Sequence, residues 1–346
     1  MNKKKIFYFL FIFVVLLFLF KSINNNNRFS RNYFYFSTIN EITIFGESES
    51  KSESILNGCD KILNDIENKM SKTLNNSDVS KINSSAGKDF VKVSNDTFYV
   101  ISKALNYSKI SNGTFDITIG PLSDLWGIGT NQAKIPLQND INDKLKLIDY
   151  TNIILDESNK SIKLNDTNMQ IDLGAIAKGY AADKIKEFLE SENIKNAIIN
   201  LGGNISIIGT KNNKELFTVG IQDPTSPRGD TIGNISLSNK SVVTSGVYER
   251  YIENNEKIYH HLLDPYTGYP FENDLSSVTI VSSNSINCDA LSTSAFGLGL
   301  KDGLKLIESL DNVDAIFITK SKKVYLTSNI KSDFNLTDNS FTIVKD

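Results

Sequence analysis

Near the C-terminal end, Cys288-Asp289-Ala290-Leu291-Ser292-Thr293 sets a carboxylate and two hydroxyls at positions i, i+3 and i+4. On a helix these oxygens share one face. A carboxylate with hydroxyls, and no thiolate or imidazole on that face, suits a hard cation such as Mg²⁺. The same spacing also describes a helix capped by Asp289, with Ser292 and Thr293 bonded back to main-chain carbonyls. Cys288 points elsewhere and reads as a small buried residue. A second group combines Thr244-Ser245-Gly246-Val247-Tyr248-Glu249-Arg250 with Tyr259-His260-His261-Leu262-Leu263-Asp264-Pro265-Tyr266-Thr267-Gly268. Neighbours on a strand face opposite ways, so at most one of the two histidines faces a site. Histidine is the natural acid/base near neutral pH, although a structural histidine in a hairpin explains the pair as well.

Three further segments surround these. Asp172-Leu173-Gly174-Ala175-Ile176-Ala177-Lys178-Gly179-Tyr180 precedes an amphipathic stretch. Small residues at a helix N-terminus expose N–H groups to an anion such as phosphate. The segment matches neither the nucleotide phosphate loop nor the dinucleotide glycine pattern, and a plain helix start fits it too. Ser111 to Leu122, followed by Leu125-Trp126-Gly127, has turn signals at Asn112-Gly113 and Gly120-Pro121. It reads as a loop with a packed Trp, or as a place where backbone approaches a ligand closely. Leu201-Gly202-Gly203-Asn204 is a tight hairpin turn.

The elements that must position these residues interleave period 2 with period 3.6. Helices are predicted over Ser54–Thr73, Asp96–Ser111, Tyr180–Glu192, Asn287–Gly297 and Gly303–Leu310. Strands are predicted over Ala197–Leu201, Asn204–Ile208, Leu216–Ile221, Ser241–Thr244, Ser277–Val281 and Ala315–Thr319. Tyr248–Ile252 and Lys257–Leu263 form a hairpin around Glu253-Asn254-Asn255-Glu256. Strands and helices do not alternate strictly, so the fold class is α+β, in one domain over 41–346. No repeat of 20 to 50 residues is present, which excludes solenoids and propellers.

Composition narrows the function. The chain has 346 residues, 40% hydrophobic and 22% charged, with net charge −3, which fits a globular protein and excludes a disordered one. Arg occurs only at positions 28, 31, 228 and 250, so a guanidinium-rich nucleic-acid surface is not expected. Two Cys and two His exclude a disulfide scaffold and a multi-His/Cys zinc site. Asn is over-used, at 40 residues, so scattered Asn carries little weight. Lys3-Lys4-Lys5 precedes an apolar run, Ile6 to Phe20, closed by Lys21. Fifteen helical residues span about 22 Å, short of a hydrocarbon core of roughly 30 Å, and snorkelling lysines close part of the gap. No small-residue cleavage site follows, and the first cysteine is Cys59. Residues 1–21 therefore read as a signal anchor with the body outside the cytoplasm, and 22–40 as a linker.

Taken in order, Met70-Ser71, Ser108 to Trp126, Asp172 to Tyr180, Gly202-Gly203, Thr244-Ser245-Gly246, His261 to Gly268 and Asp289 to Thr293 resemble the ApbE family of FAD:protein FMN transferases. The likeness spans roughly 41–319. His260 stands where the family usually has Ser, and the family's common N-terminal lipobox is absent. The resemblance implies a T-fold-related ApbE-like domain that binds FAD with Mg²⁺, moves FMN onto a Thr or Ser hydroxyl of a partner protein and releases AMP. By motif, Asp289, Thr293 and the carbonyl of Ala175 would hold the metal, with Ser292 behind them. Met70, Thr114, Phe115, Asp116, Asp172, Lys178 and Leu263 map to FAD contacts, and His261 to the acid/base. The implied partner is an acceptor flavoprotein subunit of a membrane redox complex, of the Rnf or sodium-pumping quinone-reductase kind, or an extracellular electron-transfer protein. A hydrolase giving FMN and AMP, or a non-catalytic FAD-binding protein, would carry much the same binding residues.

Overall fold

The computed structural model describes residues 27–211 and 214–344. Its first element is a hairpin, β1 (Arg28–Tyr35) against β2 (Thr38–Phe45), turning at Phe36 and Ser37 with φ of 55° and 56°. The linker expected over 22–40 is thus corrected: from Arg28 the chain is already part of the sheet. The cause is a strip of alternating side chains. Tyr33 donates to the Leu56 carbonyl (2.8 Å), Tyr35 to Asp60 Oδ1 (2.8 Å) and Arg31 to Asn57 Oδ1 (2.6 Å), all on helix α1 (Glu49–Met70). The turn has neither Gly nor Asn-Gly, which hides the hairpin from turn chemistry. The anchor expected at Ile6–Phe20 lies outside the described residues. Among those described, no helix is long and apolar enough to cross a membrane.

After α1 come α2 (Asp78–Ser84), the short β3 (Val91–Lys92), α3 (Asn95–Ile110), α4 (Gly120–Trp126) and α5 (Gln138–Leu145). β4 (Ile153–Asp156) and β5 (Ser161–Leu164) join β3 in a small sheet, and α6 (Ala177–Ser191) follows. Next are β6 (Ala197–Leu201), β7 (Asn204–Ile208), β8 (Phe217–Gln222), β9 (Thr231–Leu237), β10 (Ser241–Gly246) and the hairpin β11 (Tyr251–Asn254) and β12 (Lys257–His260). β13 (Leu275–Ser282), α7 (Ser285–Glu308), β14 (Val313–Thr319), β15 (Lys323–Leu326), β16 (Phe334–Leu336) and β17 (Thr342–Ile343) complete the chain.

The main sheet has nine strands in the order β1-β2-β6-β7-β10-β13-β14-β15-β17. Its pairs are antiparallel except β15 with β17. Both faces are buried, and alternation sorts the side chains between them. Val243, Val278, Ile280, Ala315 and Phe317 join the core under α1, α3, α6 and α7. Val242, Val281, Ile316 and Ile318 join the core under the small sheet β16-β9-β8. Every residue of β13 is buried. This sandwich of helices, sheet and second sheet is the α+β class read from the sequence. α7 is two helical segments that meet at Gly299, whose backbone is not helical (φ 76°, ψ 180°), in keeping with the separate helices expected over Asn287–Gly297 and Gly303–Leu310.

Because β1 covers α1, a chain beginning at Glu41 should lose stability against one beginning at Asn27. The loss should be about 3 kcal/mol or more, the scale of removing large buried aromatics. Urea unfolding of the two chains measures it, and equal midpoints would show that β1 is dispensable.

Candidate active site

Helices α6 and α7 meet so closely that only glycine fits at position 179. A Cβ there would lie 2.5 Å from the Ser285 carbonyl oxygen and 2.8 Å from Asp289 Cβ. This contact lets each helix cap the other. Asp289 Oδ2 accepts from the Gly179 N–H (2.9 Å), while Asp183 on α6 accepts from the N–H groups of Ser285 (2.7 Å) and Ile286 (2.9 Å). Burial pushes the Asp183 carboxyl up to about 6, against the two donors that lower it. Asp289 is therefore not the cap of its own helix, a role held by Asn284's position. The N-terminus of α6, read as an open anion site, already has an anion: Asp289.

Around Asp289 the oxygens converge. Lys178 Nζ lies 3.7 Å from Asp289 Oδ1 and donates to the Gly174 carbonyl (3.0 Å). Ser245, on β10, hydrogen-bonds Ser292 (2.8 Å) and Thr293 (3.3 Å), and Ser292 donates to the Asp289 carbonyl (2.9 Å). Asp172 opens the same loop. Its Oδ1 accepts from the Gly174 N–H (2.9 Å), and its Oδ2 receives Ser123 (2.9 Å) and Lys72 (3.0 Å). Burial would raise the Asp172 pKa, but Lys72 and the donors outweigh it and hold the carboxyl below its ordinary value. Lys72 also pairs with Asp124 (2.6 Å), and its pKa is raised because its carboxylates outweigh burial.

His261 follows directly on His260, the last residue of β12, and the two take different environments. His260 is 6% exposed, shares a 3.2 Å hydrogen bond with the Phe271 carbonyl and stands edge-on to Phe296. His261 is half-buried, with Nδ1 3.3 Å from the Arg250 carbonyl. Both pKa values are pushed down to about 4, by burial first; for His261 the neighbouring charge of Arg250 adds to it. The hairpin is held from below by Trp126, fully buried, whose Nε1 donates to the Gly268 carbonyl (2.8 Å) and whose ring meets Tyr259 and Tyr269. Gly120-Pro121, read as a turn, opens α4 instead, since Pro is tolerated in a first helical turn.

The structure thus brings together Lys178, Asp289 and, through Ser245 and Ser292, Thr293, with half-buried Ala175 in the loop between Gly174 and α6 and His261 on the chain just past β12. Asp172 is joined to them through Gly174. Other expected contact residues turn into the fold. Met70 and Phe115 are in the main core, and Leu263 packs with Trp126. Asp116 gives both oxygens to its own surroundings, accepting from Thr118 N–H (2.7 Å) and Tyr150 N–H (3.0 Å), and burial raises its pKa to about 6. Thr114 bonds the Ser111 carbonyl (3.0 Å). The side chain of Phe115 thus lies in the core and that of Asp116 closes the loop to Thr118 and Tyr150. Lys72, Asp183 and the bonding role of Ser245 escape the sequence reading. Lys72 follows Met70-Ser71 directly, and its position beside that motif was the available signal.

An α+β sandwich with one acid, clustered hydroxyls, an ammonium and a neutral imidazole is the outline of a group-transfer site. The ApbE family model matches residues 36–317, and the chain belongs to the ApbE family. It is 35% identical over 315 residues to the FAD:protein FMN transferase of Klebsiella pneumoniae, covering 91% of this chain and 98% of that one. It is 32% identical over 287 residues to the enzyme of the same name from Treponema pallidum, covering 79% of each. The crystal structure of the ApbE protein from Thermotoga maritima superposes with a TM-score of 0.81 at 31% identity, over 89% of this chain and 99% of that one.

His260 gives this site a pH signature. Its folded pKa, about 4, lies below the unfolded value near 6.5, so the unfolded chain binds more protons between these limits. Stability should be full above pH 6.5 and fall toward pH 4, at up to about 1.4 kcal/mol per unit from this group. His261, partly open to solvent, should contribute less. Urea unfolding of H260Q should show a shallower slope over that window; a slope equal to wild type would mean that His260 is not held neutral by burial.

Proposed function

We propose that the chain is an FAD:protein FMN transferase that moves FMN from FAD to a Thr or Ser hydroxyl of an acceptor protein, with release of AMP. The observation that supports this most is the cluster of Lys178, Asp289, Thr293 and Ser245, in a chain whose relatives carry that name.

The donor set suits a divalent cation. Among the described residues no three His, Cys, Asp or Glu side chains cluster. Mg²⁺ does not need such a cluster: it takes one or two carboxylates and leaves positions for water and substrate phosphates. Asp289, Thr293 and the Ala175 carbonyl would hold it, and when bound it would neutralise pyrophosphate oxygens. An ammonium already rests between a carbonyl and Asp289, so the seat accepts positive charge.

The protein's own part is positioning and proton transfer. Lys178 places an ammonium for a pyrophosphate oxygen. With Nδ1–H directed to the Arg250 carbonyl, His261 keeps Nε2 as the basic nitrogen. The acceptor oxygen attacks the FMN phosphorus and loses its proton to Nε2. A new P–O bond forms, the pyrophosphate bond breaks, and AMP leaves with the bridging oxygen. A free imidazole with pKa near 4 is a weak base, but the negative charge of bound FAD would raise it toward neutral pH, where general-base catalysis works best. The acceptor is a flavoprotein subunit of a membrane redox complex or an extracellular electron-transfer protein. The basic and apolar run from Lys3 to Lys21 supports a membrane-anchored enzyme with its body outside the cytoplasm; release by alkaline carbonate without detergent would count against it.

The full chain, incubated with FAD, Mg²⁺ and an acceptor carrying a Ser-Gly-Ala-Thr-Thr stretch, should yield covalent flavin on the acceptor. Free FMN formed equally without acceptor would make it a hydrolase, and intact FAD would leave only binding. H261A should lower turnover by about 10²–10⁴-fold, with H260S within a few-fold of wild type. D289N, whose amide can still accept from Gly179, should abolish Mg²⁺-dependent turnover. The reverse order of the two histidine variants would exclude His261 as the base.

A further inference from the structure

We propose that Lys178 competes with the divalent cation for Asp289, keeping the metal seat closed until FAD draws the ammonium away. The inference rests on the reading above that Asp289 and Thr293 hold the metal.

The geometry leaves Asp289 one oxygen for a cation. Oδ2 is committed to the Gly179 N–H at 2.9 Å, and the approach that makes this bond is fixed by a glycine that admits no side chain. Oδ1 faces Lys178 Nζ at 3.7 Å, and the same ammonium donates to the Gly174 carbonyl at 3.0 Å. The Asp289 side chain is 6% exposed and that of Lys178 20%, so water screens the pair poorly. A divalent ion on Oδ1 would stand beside the ammonium, and two cations cannot share one carboxylate oxygen cheaply in that setting. The metal must evict Lys178.

The evicted ammonium needs another anion. Asp172 and Asp124 are already paired with Lys72, at 3.0 Å and 2.6 Å, so neither is a spare partner. His261 offers no negative charge. The pyrophosphate of FAD does. FAD binding and metal binding are thereby linked: each lowers the cost of the other, and by reciprocity the factor is the same in both directions.

The test uses the full chain freed of metal, with Mn²⁺ as the probe and the signal of free Mn²⁺ in electron paramagnetic resonance as the readout. Without FAD, K178M should bind Mn²⁺ more tightly than wild type, on the order of tenfold, K178R should match wild type, and D289N should lose the site. In an H261A background, where turnover is slow, saturating FAD should tighten Mn²⁺ binding more than it does in K178M/H261A. K178Q replaces K178M if circular dichroism shows that the Met variant does not fold. Wild-type or weaker Mn²⁺ affinity in K178M, with D289N still losing the site, would overturn the competition and leave the metal assignment standing. Binding by D289N as tight as by wild type would overturn both.

Discussion

Two helices capping each other organise this molecule. An α-helix leaves its first N–H groups without intrahelical partners, and burying them unpaired is costly. Here α6 and α7 solve the problem with each other's carboxylates: Asp183 serves the start of α7 and Asp289 the start of α6. The exchange is possible only because Gly179 lets the backbones approach. The second oxygen of one of the two caps faces an ammonium, with the hydroxyls of Ser292 and Thr293 on the same helix. The residue that caps α6 is thus the one proposed to hold the metal.

The rest of the site is fastened to that junction by charge and by packing. Lys72, at the end of α1, and Ser123, on α4, hold Asp172; Asp172 holds Gly174; the Gly174 carbonyl holds Lys178; and Lys178 approaches Asp289. Positive and negative groups alternate along this path, so each is compensated although several are largely buried. On the opposite side Trp126 carries the turn at Gly268, and with it the hairpin that presents His261. Separate elements contribute single groups, and the main sheet fixes their spacing through β10 and the helices packed on it.

Much of this was legible in the sequence where a local rule governs. The i, i+3, i+4 spacing of Asp289, Ser292 and Thr293 put their oxygens together, and strand alternation separated His260 from His261. The Gly202-Gly203 turn and the α+β class followed from turn chemistry and mixed periodicity. What stayed hidden depends on tertiary partners. The place of Lys72 beside Met70-Ser71 does not reveal Asp172 as its counter-ion, and nothing local marks Asp183 as a cap whose donor, the Ser285 N–H, lies 102 residues away. Phe115 and Leu263, which the family resemblance maps to FAD contacts, are packed in the core and beside Trp126. The β1–β2 hairpin was missed for a local reason: Phe36 and Ser37 adopt positive φ without the usual glycine or asparagine.

The loop over 172–176 and the first turn of α6 owe their order to the mutual caps. Asp183 tests this best, because its carboxylate is bonded to neither Lys178 nor the clustered hydroxyls and receives the first N–H groups of α7. Amide hydrogen exchange of D183A against wild type should show lost protection not only at Ser285 and Ile286, whose N–H groups it receives, but also across 177–180 on the other helix. Faster exchange confined to 285–286, with 177–180 as protected as in wild type, would contradict it: the α6 N-terminus would then be held by Asp289 and Gly179 alone, and the two caps would be independent.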